Sequence, residues 1–441
     1  MIALRLWWLL LRRQQQQRLT IMLALIAFAV ATGALLTVLG GLGAFTARGG
    51  AGGQYVLLAR IATIILIIPV ITLGGSAARL SISRRDERLA ALRLAGATSG
   101  QVGVIAVADA AAQSLAGALL GVVLYLIALP GVAMINFQGR AFAWSELLVG
   151  PGILALTIVG VVLLATVSAA ITLARIAISP LGVARRSSPK RVSAIRVGIA
   201  LVVLIAWAPV TKLLGSGAGL IAGVIVFGLC FAVLNLIGPF VLGMIGRLGV
   251  RRATTVPKLL AARRLTDDPR AAWRPVAGVT LATFIAGVLS IGPAIAASQP
   301  PSADPSMRHL PADMMTGSLV TLVIAALLAA VSVGVNQAAR VYDLRDQYRM
   351  LHLIGTEVGV LKQARMRETA LPLVASVMIA AVISLIIVAP FGIMLIGAAP
   401  SGIATFVGGI AVSLAMVLGA VRLSQPLVDR VLAERAVPSV Q

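Results

Sequence analysis

Cysteine, histidine, acidic and aromatic side chains are all scarce in this 441-residue chain, and each scarcity removes a class of chemistry. The one cysteine, Cys230, excludes an intrachain disulfide and lies in an apolar run, where it reads as packing. The two histidines, His309 and His352, cannot build a metal cluster with one distant cysteine, and no Ser-His-Asp constellation is supported. A G-x-x-x-x-G-K-S/T phosphate loop is absent; the glycine-rich Gly215 to Gly223 carries no lysine. The chain is therefore not expected to be an enzyme or to hold a cofactor or metal, and it does not bind and hydrolyse ATP by that route.

Apolar residues are what it has in abundance: 59% are hydrophobic against 12% charged, with a mean hydropathy of +1.02. That lies far outside the soluble globular range. A helix needs about 20 apolar residues to cross a bilayer. Runs of that kind are read at Thr20 to Ala44, Tyr55 to Ala77, Val102 to Leu129, Leu147 to Leu173 and Val197 to Leu214. Five more follow at Ala218 to Ile245, Pro275 to Ala297, Gly317 to Val335, Thr369 to Pro390 and Gly402 to Val421. The expected fold class is thus all-α, a polytopic membrane protein of about ten spans.

The net charge of +23 is decided by its distribution. With both termini cytoplasmic, only Arg48, Arg140 and Arg308 fall outside, and Arg60 and Lys212 sit near the outer ends of their spans, close enough to snorkel. All the other lysines and arginines lie on the inner side, which fixes the orientation. The basic excess reads as an anchor to anionic membrane lipid rather than a nucleic-acid surface. Arginine far outnumbers lysine and alanine is abundant, as expected of a high-GC bacterium, so the plasma membrane of a bacterium is assigned.

One charged stretch occurs twice. Ala77 to Val102 contains Leu92, Leu94, Gly96 and Gly100, which align at a constant separation with Leu351, Leu353, Gly355 and Gly359 of Ala338 to Leu361. The same separation carries Asp109 onto Glu368. Each copy lies between two long apolar runs. The second span has no break signal before Arg79, so its helix is expected to project as a stalk; Gly96 ends a short helix, and Thr98 with Gln101 has the form of a capping box starting the third span. The layout is four spans, two bridging spans, four spans, with both repeats oriented alike.

The expected boundaries are residues 1–18, an interfacial amphipathic helix with Trp7 and Trp8 at headgroup depth; 19–175, the first four-helix repeat; and 176–250, a cytoplasmic linker and bridging helix pair. Residues 251–274 are a cytoplasmic or interfacial segment whose Leu259, Leu260 and Trp273 suit an interfacial helix; 275–424 are the second repeat and 425–441 a cytoplasmic tail. The outer loops Thr46 to Gln54 and Ser298 to Thr316 are too short to bury a core.

Ion-coupled carriers need ionisable groups near the midplane, and no carboxylate pair is expected there. A secondary carrier with parallel repeats fits the duplication but fails on that point. Asp109 and Glu368 sit roughly two turns into their spans. They read either as contacts passing the position of the repeated element to the span, or as carboxylates favoured by a helix amino terminus.

Arg84 to Val102, RRDERLAALRLAGATSGQV, resembles the arginine-rich segment that follows the second span in the FtsX-like permease superfamily of ABC transporters. Arg93, Gly96 and Ala97 fit that motif; Ala95 stands where leucine is usual, Glu87-Arg88 reverses the usual pair, and His352 and Thr356 replace the arginine and alanine in the second copy. The acidic residue at Asp109 and Glu368 is similar to the family pattern, as is Leu260 to Trp273 to the segment preceding membrane domains in many members. The resemblance implies two FtsX-like repeats and a permease subunit whose coupling elements seat in a cytoplasmic ABC ATPase. Its coupling residues would be Arg85, Arg88, Leu92, Arg93, Gly96 and Ala97 with Arg345, Arg349, Leu351, His352 and Gly355, and Asp109 and Glu368 would pass motion to the spans.

Two such elements imply two ATPase copies per permease, with ATP bound by that partner. The family's large extracytoplasmic domain is missing, so export of, or resistance to, a lipophilic or peptide compound is expected over handling of folded cargo. The alternative is a non-transporting membrane scaffold of FtsX type that signals through a partner. A third reading of the arginines is that they anchor helices to headgroups.

Overall fold

In the bilayer interior every backbone N–H and C=O must find a partner within the protein, so apolar runs of this length form helices. The computed structural model describes residues 18–49, 53–83, 98–177, 198, 217–274, 276–290, 308–343 and 358–389, with 404, 407–411, 414–415 and 419. In chain order these give α1 (Arg18–Arg48), α2 (Gln54–Ser83), α3 (Ser99–Ala133), β1 (Asn136–Phe137), β2 (Arg140–Ala141), α4 (Trp144–Leu147) and α5 (Pro151–Ala177). They continue with α6 (Gly217–Arg251), α7 (Val256–Asp267), α8 (Pro269–Trp273), α9 (Ala277–Leu289), α10 (Leu310–Asp343) and α11 (Val358–Val388).

Among the described residues, 7 helices are long and apolar enough to cross a membrane, and α9 is a shorter apolar helix. The chain is a nearly all-helical, multi-pass membrane protein. Of the expected spans, Val197 to Leu214 lies outside the described residues except for Gly198, and Gly402 to Val421 is described only in fragments.

α1 packs against α2 and α3, α5 lies against α2 and α3, and α9 packs against α10 and α11; α2 and α10 then lie against each other and join the two groups. One apolar core runs through both, from Phe28 of α1 and Leu66 and Leu73 of α2 to Phe284 of α9, Leu328 of α10 and Ile383 of α11. α2 is helical through Arg79 to Ser83. At 1.5 Å per residue its 30 residues measure about 45 Å, and the 34 of α10 about 51 Å, against about 30 Å of hydrocarbon. Both helices therefore extend beyond the apolar layer.

Small residues set the closest approach. A Cβ on Gly121 of α3 would stand 2.6 Å from the Cβ of Thr32 and 2.7 Å from the carbonyl oxygen of Ala29 on α1; one on Gly117 would meet Phe28 at 2.5 Å. The four-residue spacing of the two glycines makes a strip along which two backbones meet, the way helices associate in lipid.

A second glycine strip shows how residues 251–274 pack. Cβ atoms on Gly249, Gly246, Gly243 and Gly238 of α6 would approach Ala262, Leu265, Pro269 and Trp273 in turn, so α7 and α8 run antiparallel along α6. Trp273 is buried and its indole N–H donates to Asn235 Oδ1 at 3.2 Å. It is a packing residue in a helical hairpin, because the glycines of α6 leave a groove that an indole fills.

Two further differences concern the other end of the bundle. A short antiparallel hairpin, β1 and β2, interrupts the expected all-α pattern; its turn is Gln138 and Gly139, both at positive φ (56° and 74°). The loop expected over Ser298 to Thr316 already becomes helix at Leu310. Pro311 in the first turn needs no intrahelical donor, and Asp313 in that turn suits the positive helix end.

Replacing Gly121 by Leu is expected to cost about 1–3 kcal/mol through overpacking of the α1–α3 seam. Gly160→Leu, where a side chain meets nothing within 4 Å, is expected to be neutral. Thermal midpoints of the two variants in detergent test this directly.

Candidate functional site

The residues expected to couple to a partner, Arg85, Arg88, Leu92, Arg93, Gly96 and Ala97 with Arg345, Arg349, Leu351, His352 and Gly355, lie outside the described residues. Their flanks are described. The capping box that starts α3 has both of its bonds: Gln101 N–H donates to Thr98 Oγ1 at 3.3 Å, and Thr98 N–H to Gln101 Oε1 at 3.0 Å. Asp109 lies in the third turn of α3 and is buried. Glu368 lies within α11.

The polar assembly whose geometry is most complete stands at the hairpin end, and the sequence reading did not assign it. Arg48, the last residue of α1, is 2% exposed at its side chain. Its guanidinium donates to the Phe137 carbonyl at 3.0 Å, to the Ala141 carbonyl at 2.8 Å and to Glu146 Oε2 at 2.6 Å, and it covers the Phe142 ring at 4.1 Å. Glu146 also accepts from the Ala143 N–H at 2.9 Å and from Arg140 at 2.9 Å. One arginine thus folds residues 137–146 around itself, as only a planar, five-donor group can. Phe45, Tyr55, Phe137 and Phe142 pack their rings beside it.

A buried carboxylate then ties this hairpin to the second group of helices. Asp313 Oδ2 accepts the Tyr55 hydroxyl at 2.6 Å and the Gln138 backbone N–H at 2.8 Å. His309, just before α10, and Asp313 and Gly317 on it recur at four-residue spacing. The hairpin lies along that stripe: a Cβ on Gly139 would stand 2.9 Å from His309 Nε2, and one on Gly317 would stand 3.8 Å from the Phe137 ring. The available signal was rarity. Arg48 and Arg140 are isolated from the other cations, and Glu146 and Asp313 are among only 14 acidic residues.

The guanidinium of Arg48, then the Ala143 N–H, holds the Glu146 carboxyl at about 2, well below its ordinary 4.5. A depressed carboxyl stabilises the fold fully above its unfolded value and loses that contribution as pH falls from about 4.5 toward 2. Among the described residues no group of three or more His, Cys, Asp or Glu could hold a metal ion.

No family model matches the chain, and no curated protein matches it.

Arg48→Ala is expected to cost about 3 kcal/mol, because it strands a carboxylate and two carbonyls, and Arg48→Lys is expected not to restore it. Glu146→Gln should flatten the loss of thermal stability between pH 4.5 and 2. Melting curves over that pH range distinguish these outcomes.

Proposed function

We propose that the chain is the membrane subunit of an ATP-driven transporter of the FtsX-like ABC type, worked by a separate ATPase. Its cargo is a lipophilic or peptide compound leaving a bacterial cell. In this reading there are ten spans in two like-oriented four-helix repeats, both termini are cytoplasmic, and the hairpin end faces outward.

The observation that carries the proposal is the recurrence of one arrangement: a helix longer than the bilayer, a short charged element, and a second long helix. α2, residues 84–97 and α3 make the first copy; α10, residues 344–357 and α11 make the second. Packing supports the duplication. Gly117 and Gly121, which seat α3 on α1, correspond at the separation of the repeat to Ser376 and Ala380 of α11, both fully buried, and α11 packs on α9. In that correspondence α2 and α10 are equivalent helices, and they meet at the centre.

A long continuous helix passes movement along its axis, although Pro69 at the middle of α2 removes one backbone hydrogen bond there. Movement applied at its cytoplasmic end by a nucleotide-driven partner is delivered along its whole length, which makes α2 and α10 the natural recipients of the work. The buried Asp109, one span-length from the hairpin end, supports transmission from the charged element into α3.

Co-purification from the native membrane in mild detergent tests the proposal. Two ATPase copies per chain are expected, with binding weakened by Gly96→Trp and by Gly355→Trp. Recovery of the folded chain with no ATPase would contradict the transporter reading and favour the scaffold.

A further inference from the structure

We propose that the contact between Asp313 and the β1–β2 hairpin is a releasable gate that closes the outer end of the α2–α10 seam. What passes the gate rests on the transport reading; the gate itself rests on the following geometry.

The two sides of the contact are built differently. On one side the hairpin is assembled before it meets α10, because Arg48 holds its carbonyls at Phe137 and Ala141 and fixes Glu146, and Glu146 in turn fixes Arg140. It can therefore move as a unit with the end of α1. On the other side is one stripe of α10. Between them the polar connection is, among the described residues, a carboxylate oxygen shared by two donors, the Gln138 N–H and the Tyr55 hydroxyl, which come from parts of the chain 175 and 258 residues away.

Backbone conformation points the same way. Gln138 is, among the described residues, the non-glycine residue at positive φ. An L side chain is held there against its preference, and what that conformation achieves is to aim the Gln138 N–H at Asp313. Gly139, also at positive φ, lets the turn lie flat on His309, which a side chain would strike. The turn is thus shaped to fit α10.

A permanent strut between two helix groups in a membrane would be made by close apolar packing, as at Gly121. A hydrogen-bonded carboxylate at the water-facing end is different, since water can replace both of its donors once the surfaces part. The open state is then a minor population that loss of one of these bonds enlarges. Gly317 on the same stripe lies under the hairpin, where its Cβ would stand 3.8 Å from the Phe137 ring, so release would uncover a side chain placed there.

The test uses the full chain in lipid nanodiscs, with Cys230→Ala and Gly317→Cys, and a water-soluble maleimide as probe. Labelling is expected to be slow with the gate intact. It should rise roughly tenfold in Asp313→Ala and by a smaller factor in Tyr55→Phe, following the open population. Tyr55→Phe removes only a hydroxyl and keeps the ring packing, so it reports even if Asp313→Ala fails to fold. Labelling unchanged in Tyr55→Phe and in folded Asp313→Ala, or already fast in the intact gate, would overturn the proposal. Absence of a bound ATPase in co-purification would remove the transport reading and leave this result untouched.

Discussion

Lipid tails are as apolar as leucine, so burying one apolar helix face against another yields little by itself; closeness of approach must hold the helices together. The rest of the structure depends on that constraint. It places glycine at the α1–α3 seam, where a Cβ on Gly121 would come within 2.7 Å of a carbonyl oxygen, and along α6, where a glycine strip receives α7 and α8. At Gly121 the approach is backbone against backbone, while the α6 strip receives side chains such as Trp273 and Leu265. The boundary between the two helix groups is where α2 lies against α10.

At that boundary the polar groups become informative. The apolar layer contributes few of them, and those near the hairpin end are not scattered. Arg48 organises one loop, Glu146 neutralises it, and Asp313 connects the result to the other helix group. Each does something distinct: Arg48 makes the hairpin rigid, while Asp313 makes the rigid hairpin's attachment conditional. A lever can then be worked from the opposite end without disturbing the seams that keep each group intact.

Much of the helical layout was legible because about 20 consecutive apolar residues admit few structures, and the start of α3 was legible because Thr98 and Gln101 carry their own capping chemistry. Other features depended on tertiary context. Trp273 beside arginines reads as part of an interfacial helix, and the groove left by Gly238 that it fills is visible only in the fold. The start of α10 was hidden in a segment rich in proline and serine, where Pro311 serves as a helix-start residue. The Arg48–Glu146 and Tyr55–Asp313 pairs join positions 98 and 258 residues apart, and no local pattern encodes such a pairing. The two charged elements, most distinctive in the sequence, fall outside the described residues, so the case for them stands on their recurrence.

The central claim is that work applied at one end of α2 and α10 is felt at the other. The most direct measurement is the rate of ATP hydrolysis by the chain purified with the proposed ATPase partner, with Asp313 intact and with Asp313→Ala. Coupling along the helices predicts a severalfold change in that rate from a substitution at the opposite side of the membrane. An unchanged rate, in a variant that remains folded and keeps the proposed partner bound, would contradict the account.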